Sequence, residues 1–268
     1  MKFRIFIILI LIPLVNAEIY LHNNLKENYN LGDLIELNTT LTSLKKPDYF
    51  IAYEICEDEE DIIYKRFINK EEEKAIFSFI LNKIGSCKIK MKYGEYILIS
   101  SSFDVTDKLK INYTLNTKNL EPSEELIIEG EIRNINDEFI TKGEISFFIE
   151  GILNKTEIVR DGKFSFKWEV PENLQEGNYL IEIEAKQKDY KNFVKIKEKI
   201  RVLSKPKYIK IEGEEISKPP LNYSARITLQ DQSNKNITNE KILVRVFNPF
   251  NEIYSEGVVI SGENYTFF

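Results

Sequence analysis

After its first seventeen residues the chain places apolar side chains at every second position, in one short run after another. "LIIEGEI" puts Leu126, Ile128, Gly130 and Ile132 on one side, and "KFSFKWEV" does the same with Phe164, Phe166, Trp168 and Val170. In "NYLIEIEA", Tyr179, Ile181 and Ile183 face one way, Glu182 and Glu184 the other. Successive side chains of an extended chain point to opposite faces, so the pattern describes strands with one face on a core and one in water. Long helical spacing is lacking. The single ambiguous stretch, Lys70 to Ile84, carries Ile76, Phe77, Phe79 and Ile80; its position in a repeat assigns it to a strand.

That repeat shows in "DEFITKGEISFFIEG" (Asp137 to Gly151) and "NKNITNEKILVRVFN" (Asn234 to Asn248). Ile140-Thr141, Ile145, Phe147 and Ile149 map to Ile237-Thr238, Ile242, Val244 and Val246 by one shift of 97 positions. The stretch Gly85-Ser86-Cys87-Lys88-Ile89-Lys90-Met91 maps to Gly177 through Ile183 with a shift of 92, and Ile51, Tyr53 and Ile55 map to Ile145, Phe147 and Ile149 with a shift of 94. Units of this length are tandem domains rather than the short repeats of a solenoid. Short strands separated by turn residues make each unit an antiparallel sandwich of about 100 residues. The expected organisation is a leader at 1–17, sandwiches at 18–106 and 107–205, and a third, incomplete one at 206–268.

The run from Pro122 through "GEISFFI" and "GKFSFKWEVPENLQEGNYLIEIEA" to "KIRVL" resembles the immunoglobulin-like domains stacked in prokaryotic secreted surface proteins. Phe166-Lys167-Trp168-Glu169-Val170-Pro171 and Gly177-Asn178-Tyr179 carry the resemblance, which extends well over the second unit, with an altered middle over the first and in part over the third. Macroglobulin domains of thioester proteins look similar too, but a Cys-Gly-Glu-Gln-like thioester element is absent from this sequence. The resemblance implies a fold, all-β and tandem, and is nearly silent on function. Aligned on the aromatic strand, Tyr265 and Phe267 stand where Phe164 and Phe166 stand; the second unit then runs 37 residues further to Leu203, the third only one. The third core is therefore expected to lack its last two strands, either because the natural protein is longer or because a partner supplies a strand.

"MKFRIFIILILIPLVNA" has Lys2 and Arg4, an apolar run from Ile5 to Val15 and small residues at its end, the layout of a secretory signal peptide cut after Ala17. Eleven residues rise about 16 Å as a helix, short of a hydrocarbon core of roughly 30 Å, so the run is not expected to span a bilayer. The mature chain is expected outside the cytoplasm, with no membrane-spanning segment. Six Asn-x-Ser/Thr sequons accompany this, at Asn38, Asn112, Asn154, Asn222, Asn236 and Asn264. Random placement of 24 Asn among 26 Ser or Thr in 268 residues would give roughly two, so surface glycosylation is an expectation. A net charge of −6 with mixed signs leaves no basic stripe for phosphates, which argues against nucleic acid.

Chemistry-bearing residues are few. Cys56 and Cys87, the only cysteines, are expected to form a disulfide closing a loop of about 30 residues, although Cys56 falls off the phase of Ile51, Tyr53 and Ile55. Trp168 shares a phase with Phe164 and Phe166 and is assigned to the core rather than to a sugar-stacking surface. His22 is the sole histidine, which leaves no partner set for a Ser-His-Asp device or a zinc site. Asn134, Asn136, Asp137 and Glu138, and likewise Asp231, Asn234 and Asn236, cluster as calcium-binding loops do, as Asp104 and Asp107 do at the first junction; the spacing matches no EF-hand loop, and turn chemistry is the expected explanation. No catalytic, cofactor or metal residue is assigned. The expectation is a non-enzymatic surface stalk or adhesive module with a protein or glycan partner. The alternative is an accessory, glycan-binding region of a larger extracellular enzyme. Short junctions at Thr106–Leu109 and Ser204–Lys207 are expected to limit bending.

Overall fold

A computed structural model describes residues 18–42, 46–69, 73–213 and 223–267. Residues 1–17, with the cut after Ala17, and the sequon Asn222 lie outside the described residues. The described chain is all-β, and none of its helices is long and apolar enough to cross a membrane because it has none. It packs as two compact units, Met1–Lys110 with Arg133–Lys142 and Lys186–Val194, and Ile111–Ile132 with Gly143–Ala185 and Lys195–Phe268.

The first nine strands are β1 (Glu18–Leu21), β2 (Asn28–Asn30), β3 (Leu34–Thr42), β4 (Asp48–Cys56), β5 (Glu59–Ile68), β6 (Glu73–Ile80), β7 (Gly85–Tyr93), β8 (Tyr96–Ile99) and β9 (Phe103–Thr106). They form one sheet in the order β1-β3-β6 and another in the order β2-β9-β7-β4-β5, with β8 also on β7. Their pairings are antiparallel except β2 with β9. One core joins the two sheets: Ile35, Leu37, Phe77 and Phe79 from the first meet Phe50, Ile89, Met91 and Phe103 from the second. Tyr64 of β5 stacks on Phe77 of β6 with ring centroids 4.4 Å apart. The ambiguous window is a strand, with Ala75, Phe77 and Phe79 buried and Ile76 and Ile80 exposed.

The next eight strands repeat that order. They are β10 (Lys110–Leu115), β11 (Asn119–Leu120), β12 (Glu125–Arg133), β13 (Lys142–Ile149), β14 (Leu153–Arg160), β15 (Lys163–Glu169), β16 (Gly177–Gln187) and β17 (Phe193–Val202). The hydrogen-bonded path runs β10-β12-β15-β14-β13-β16-β17-β11. Between β14 and β15 it is carried by the single pair Arg160–Lys163. Split there, β10-β12-β15 matches β1-β3-β6, and β14-β13-β16-β17-β11 matches β5-β4-β7-β9-β2, down to the parallel pairing of β11 with β17. Phe147 of β13 stacks on Phe166 of β15 at 3.9 Å. Leu126, Ile128, Ile132, Phe166, Ile181 and Ile183 are buried as their alternation requires.

The last strands are β18 (Pro206–Gly213), β19 (Tyr223–Asp231), β20 (Asn236–Ile237), β21 (Lys241–Phe247), β22 (Ile253–Ile260) and β23 (Asn264–Phe267). β19 pairs with β18, β20 and β23, and β21 pairs with β22. Among the described residues β21 has a partner on one edge only, where β4 and β13 have two. Burial is lighter: Ile242, Val244 and Val246 are half-buried, and Leu243, Phe247, Phe250 and Val258 are exposed.

One strand corrects the sequence reading. On β4 the inward residues are Phe50, Ala52, Glu54 and Cys56, whereas Ile51, Tyr53 and Ile55 are half-buried on the other face. The inward face that corresponds to Ile145, Phe147 and Ile149 is therefore that of Phe50, Ala52, Glu54 and Cys56, out of phase with the expected register. Both faces of β4 carry apolar residues and an acid sits on the inner one, so hydrophobicity alone pointed to the wrong phase. With the phase reversed, Cys56 falls on the inward face.

Gly130 shows why a strand interior can require glycine. A Cβ there would meet the Asn112 carbonyl, the Phe164 ring and Tyr113 Cα, so β10 lies too close for any side chain. Gly130→Ala is expected to cost roughly 1–3 kcal/mol through overpacking against backbone. Urea unfolding followed by the fluorescence of Trp168, the only tryptophan and a resident of the neighbouring strand, would show the loss.

Candidate functional site

The best-built polar positions lie where the linkers meet the sheets. In the first unit, Asn30 at the end of β2 is 1% exposed. Its Nδ2 donates to the carbonyls of Lys108 at 2.9 Å and Thr106 at 3.3 Å, and its Oδ1 accepts from the Ile135 N–H at 2.6 Å. A single buried amide thus satisfies three main-chain groups from two other segments. Asn192, equally buried, donates from Nδ2 to the Leu31 carbonyl and to Gln187 Oε1, both at 2.8 Å. Between them sits Gly32, at φ +88 and pressed under the Tyr190 ring, where no Cβ fits. The linker backbone is also paired directly: Leu31 N–H donates to Thr106 O, Phe193 N–H to Asp107 O and Leu109 N–H to Phe193 O.

The second unit repeats the device with another residue. Gln232, 4% exposed, donates from Nε2 to the carbonyls of Leu174 at 2.9 Å and Leu203 at 3.1 Å, and its Oε1 accepts from the Lys205 N–H at 2.9 Å. Next to it, Asp231 Oδ1 accepts from the Ser233 N–H and hydroxyl and the Lys235 N–H. Burial works against the charge of Asp231, but these bonds outweigh it and hold the carboxyl below its usual range. Neither Asn30 nor Gln232 was singled out by sequence reading. The available signal was a polar residue at the edge of each strand run beside the linker.

Of the loops read as possible calcium sites, the one at 134–138 is a turn whose acids hold lysines. Asn134 Oδ1 accepts from the N–H groups of Asn136 and Glu138. Lys26 Nζ reaches Glu138 at 3.0 Å and Lys110 Nζ reaches Asp137 at 2.7 Å, which lowers the affinity of both carboxyls for protons. Asn234 closes a backbone turn with Asp231. The ion pairs are exposed and screened by solvent, so they add little beside the buried amides. Asp33, by contrast, is pushed up by burial. On β16, Glu182 is held at about 2 by Lys195 and Lys197, each 2.7 Å away, a pairing of the outer face rather than an acid–base device.

Cys56 and Cys87 are directly opposite on β4 and β7 and form a disulfide with S–S 2.06 Å. Two residues before Cys56 on the same inward face is Glu54, 1% exposed, whose Oε1 has no hydrogen-bond partner. One Glu54 carboxylate oxygen and the two sulfurs lie within 4.8 Å of one another. Burial raises the Glu54 carboxyl above its ordinary range, while Lys83, itself paired with Glu59 and Asp61, opposes that rise. Other candidates are dispersed. Trp168 is half-buried opposite Leu126, and His22 is exposed with Nε2 2.8 Å from Thr40 Oγ1. Asn112, Asn154, Asn236 and Asn264 are exposed, but Asn38 is half-buried with its Oδ1 enclosed, because residues 22–23 cover that part of β3.

No protein-family model and no curated protein matches the chain. Among solved structures, it is similar to the E. coli alpha-2-macroglobulin in its native conformation, at 10% identity and TM-score 0.29, over 95% of this chain and 21% of that one. It is similar to red sea bream transglutaminase at 12% identity and TM-score 0.32, over 70% and 31%, and to Salmonella alpha-2-macroglobulin reacted with methylamine at 9% and 0.26, over 94% and 21%. The chain spans a fifth to a third of the length of these structures. Its own all-β fold resembles immunoglobulin-like domains in strand order.

Two outcomes follow from this geometry. Asn30→Ala removes the bonds to Lys108 O and the Ile135 N–H, while Thr106 O keeps its bond from Leu31 N–H, and Gln232→Ala removes those to Leu174 O, Leu203 O and the Lys205 N–H; each is expected to cost roughly 1–3 kcal/mol by chemical denaturation. For Glu54, the folded chain holds its proton to higher pH than the unfolded chain does. Its contribution is therefore fully present below the ordinary carboxylate range and lost as pH rises through the raised folded value. Glu54→Gln should be more stable than the wild type at pH 7 and lose that advantage at low pH, where the Glu54 carboxyl is neutral too. Thermal melts at the two pH values measure the difference.

Proposed function

We propose that this chain is a non-enzymatic, exported component of a cell surface or envelope, akin to the tandem immunoglobulin-like domains of prokaryotic surface proteins. Its sandwiches at 18–106, 107–205 and 206–268 serve as a stalk or as adhesive modules, with a surface protein or glycan as partner. The single observation carrying the reading is the pair of buried amides, Asn30 and Gln232, each bonding main-chain groups of a linker. A linker whose carbonyls and N–H groups are held by a rigid side chain resists bending, which is what a spacer requires. Export is supported by the leader at 1–17 and by the Cys56–Cys87 disulfide, a bond that persists in oxidising compartments. The exposed sequons Asn112, Asn154, Asn236 and Asn264 suit a glycoprotein.

Limited proteolysis of the mature chain is the direct test. The wild type is expected to resist cleavage at 106–109 and 204–207, whereas Asn30→Ala opens the first linker and Gln232→Ala the second. Equal cleavage of wild type and variants would remove the mechanical basis of the reading. Labelling of intact host cells with a membrane-impermeant reagent tests the location.

The alternative, an accessory glycan-binding region of a larger extracellular enzyme, draws support from the half-buried rather than enclosed ring of Trp168. Cell-wall polysaccharides titrated against Trp168 fluorescence would produce a saturable shift under that reading and none under the first.

A further inference from the structure

The disulfide and its buried acid form a constellation that the stalk reading does not use. Glu54, Cys56 and Cys87 all lie inside the first sandwich, each at most 2% exposed. Their ligand atoms converge within 4.8 Å, and Glu54 Oε1 has no partner. An acid in a core position is costly, and apolar residues of similar size would fill the same space more cheaply. The disulfide form offers this carboxyl nothing. Two thiolates and a carboxylate would offer a cation three ligands of the kinds that zinc and its thiophilic relatives take.

The geometry points to a redox-gated metal site: with the Cys56–Cys87 bond reduced, Glu54, Cys56 and Cys87 bind one thiophilic divalent cation, zinc or cadmium in class. The reductant is a dithiol. It transfers two electrons and two protons to the Cys56–Cys87 bond, giving two thiols, and leaves as a cyclic disulfide. The dication then displaces the two thiol protons, so two thiolate sulfurs and one Glu54 carboxylate oxygen coordinate it, and water fills the fourth position of a tetrahedron. The strand framework favours this, because β4 and β7 hold the two cysteines directly opposite and Glu54 one inward step along. The dication also gives the buried carboxylate a counter-charge in direct contact, where Lys83 acts only at longer range. Oxidation removes two ligands at once and closes the site. The inference is independent of the surface-stalk reading and stands or falls by itself.

The test uses the full mature chain and cobalt(II) as the probe. After dithiol treatment and removal of the reductant under anaerobic conditions, cobalt is expected to bind at one equivalent, with thiolate-to-metal charge transfer and the visible bands of tetrahedral coordination. The oxidised chain should show neither. Glu54→Gln, which keeps the cysteines and removes the charge, should weaken cobalt binding about tenfold or more. A folded, reduced chain without charge transfer overturns the proposal, and so does an unchanged affinity in Glu54→Gln, which would mean a bare dithiol. If reduction unfolds the first sandwich, one equivalent of cobalt must restore its β-sheet circular dichroism in the wild type and not in Glu54→Gln; failure to do so overturns it equally.

Discussion

Two ring stacks, Tyr64 on Phe77 and Phe147 on Phe166, bridge facing sheets, and the rest of the architecture depends on burial of this kind. A strand exposes one face and must bury the other, and no single sheet here can do so alone. Each aromatic ring that crosses the gap removes on the order of 150–250 Å² from water, far more than any surface ion pair contributes. The polar faces can therefore vary in sequence while the strand order repeats, from β1-β3-β6 to β10-β12-β15. The third group of strands has the same alternation, but β21 is paired on one edge and its side chains are half-buried.

Burying apolar faces creates a polar problem where chains leave the sheets. The carbonyls of Thr106, Lys108, Leu174 and Leu203 there accept from buried side-chain amides. An amide side chain is suited to this because it donates twice and accepts through one planar group that carries no charge to desolvate. Asparagine solves it in one unit and glutamine in the other. The solution is chemical rather than a copied residue, so a search for repeated letters passes over it.

Glu54 is a core position that breaks the pattern. Strand β4 has apolar residues on both faces, and the acid belongs to the inner one beside Cys56. Such conflicts between local pattern and global fold tend to mark positions retained for something other than stability. The disulfide pairing was legible from the count of two cysteines, yet the neighbouring carboxyl was not, because an acid on an alternating strand reads as solvent-facing. The same alternation correctly placed Phe164, Phe166, Ile181 and Ile183, where only one face is apolar.

The amino-acid sequence by itself determined the all-β character, the repeat and most inward faces, because side-chain direction along a strand is a local property of period two. Tertiary structure alone decided the phase of β4, the clamps at Asn30 and Gln232, the occupation of the acidic loops by Lys26 and Lys110, and the meeting of Glu54 with two sulfurs. Each of these joins residues distant in the chain or weighs two nearly equal faces against each other. Local periodicity holds no term for either, and only the packing of sheet on sheet supplies it.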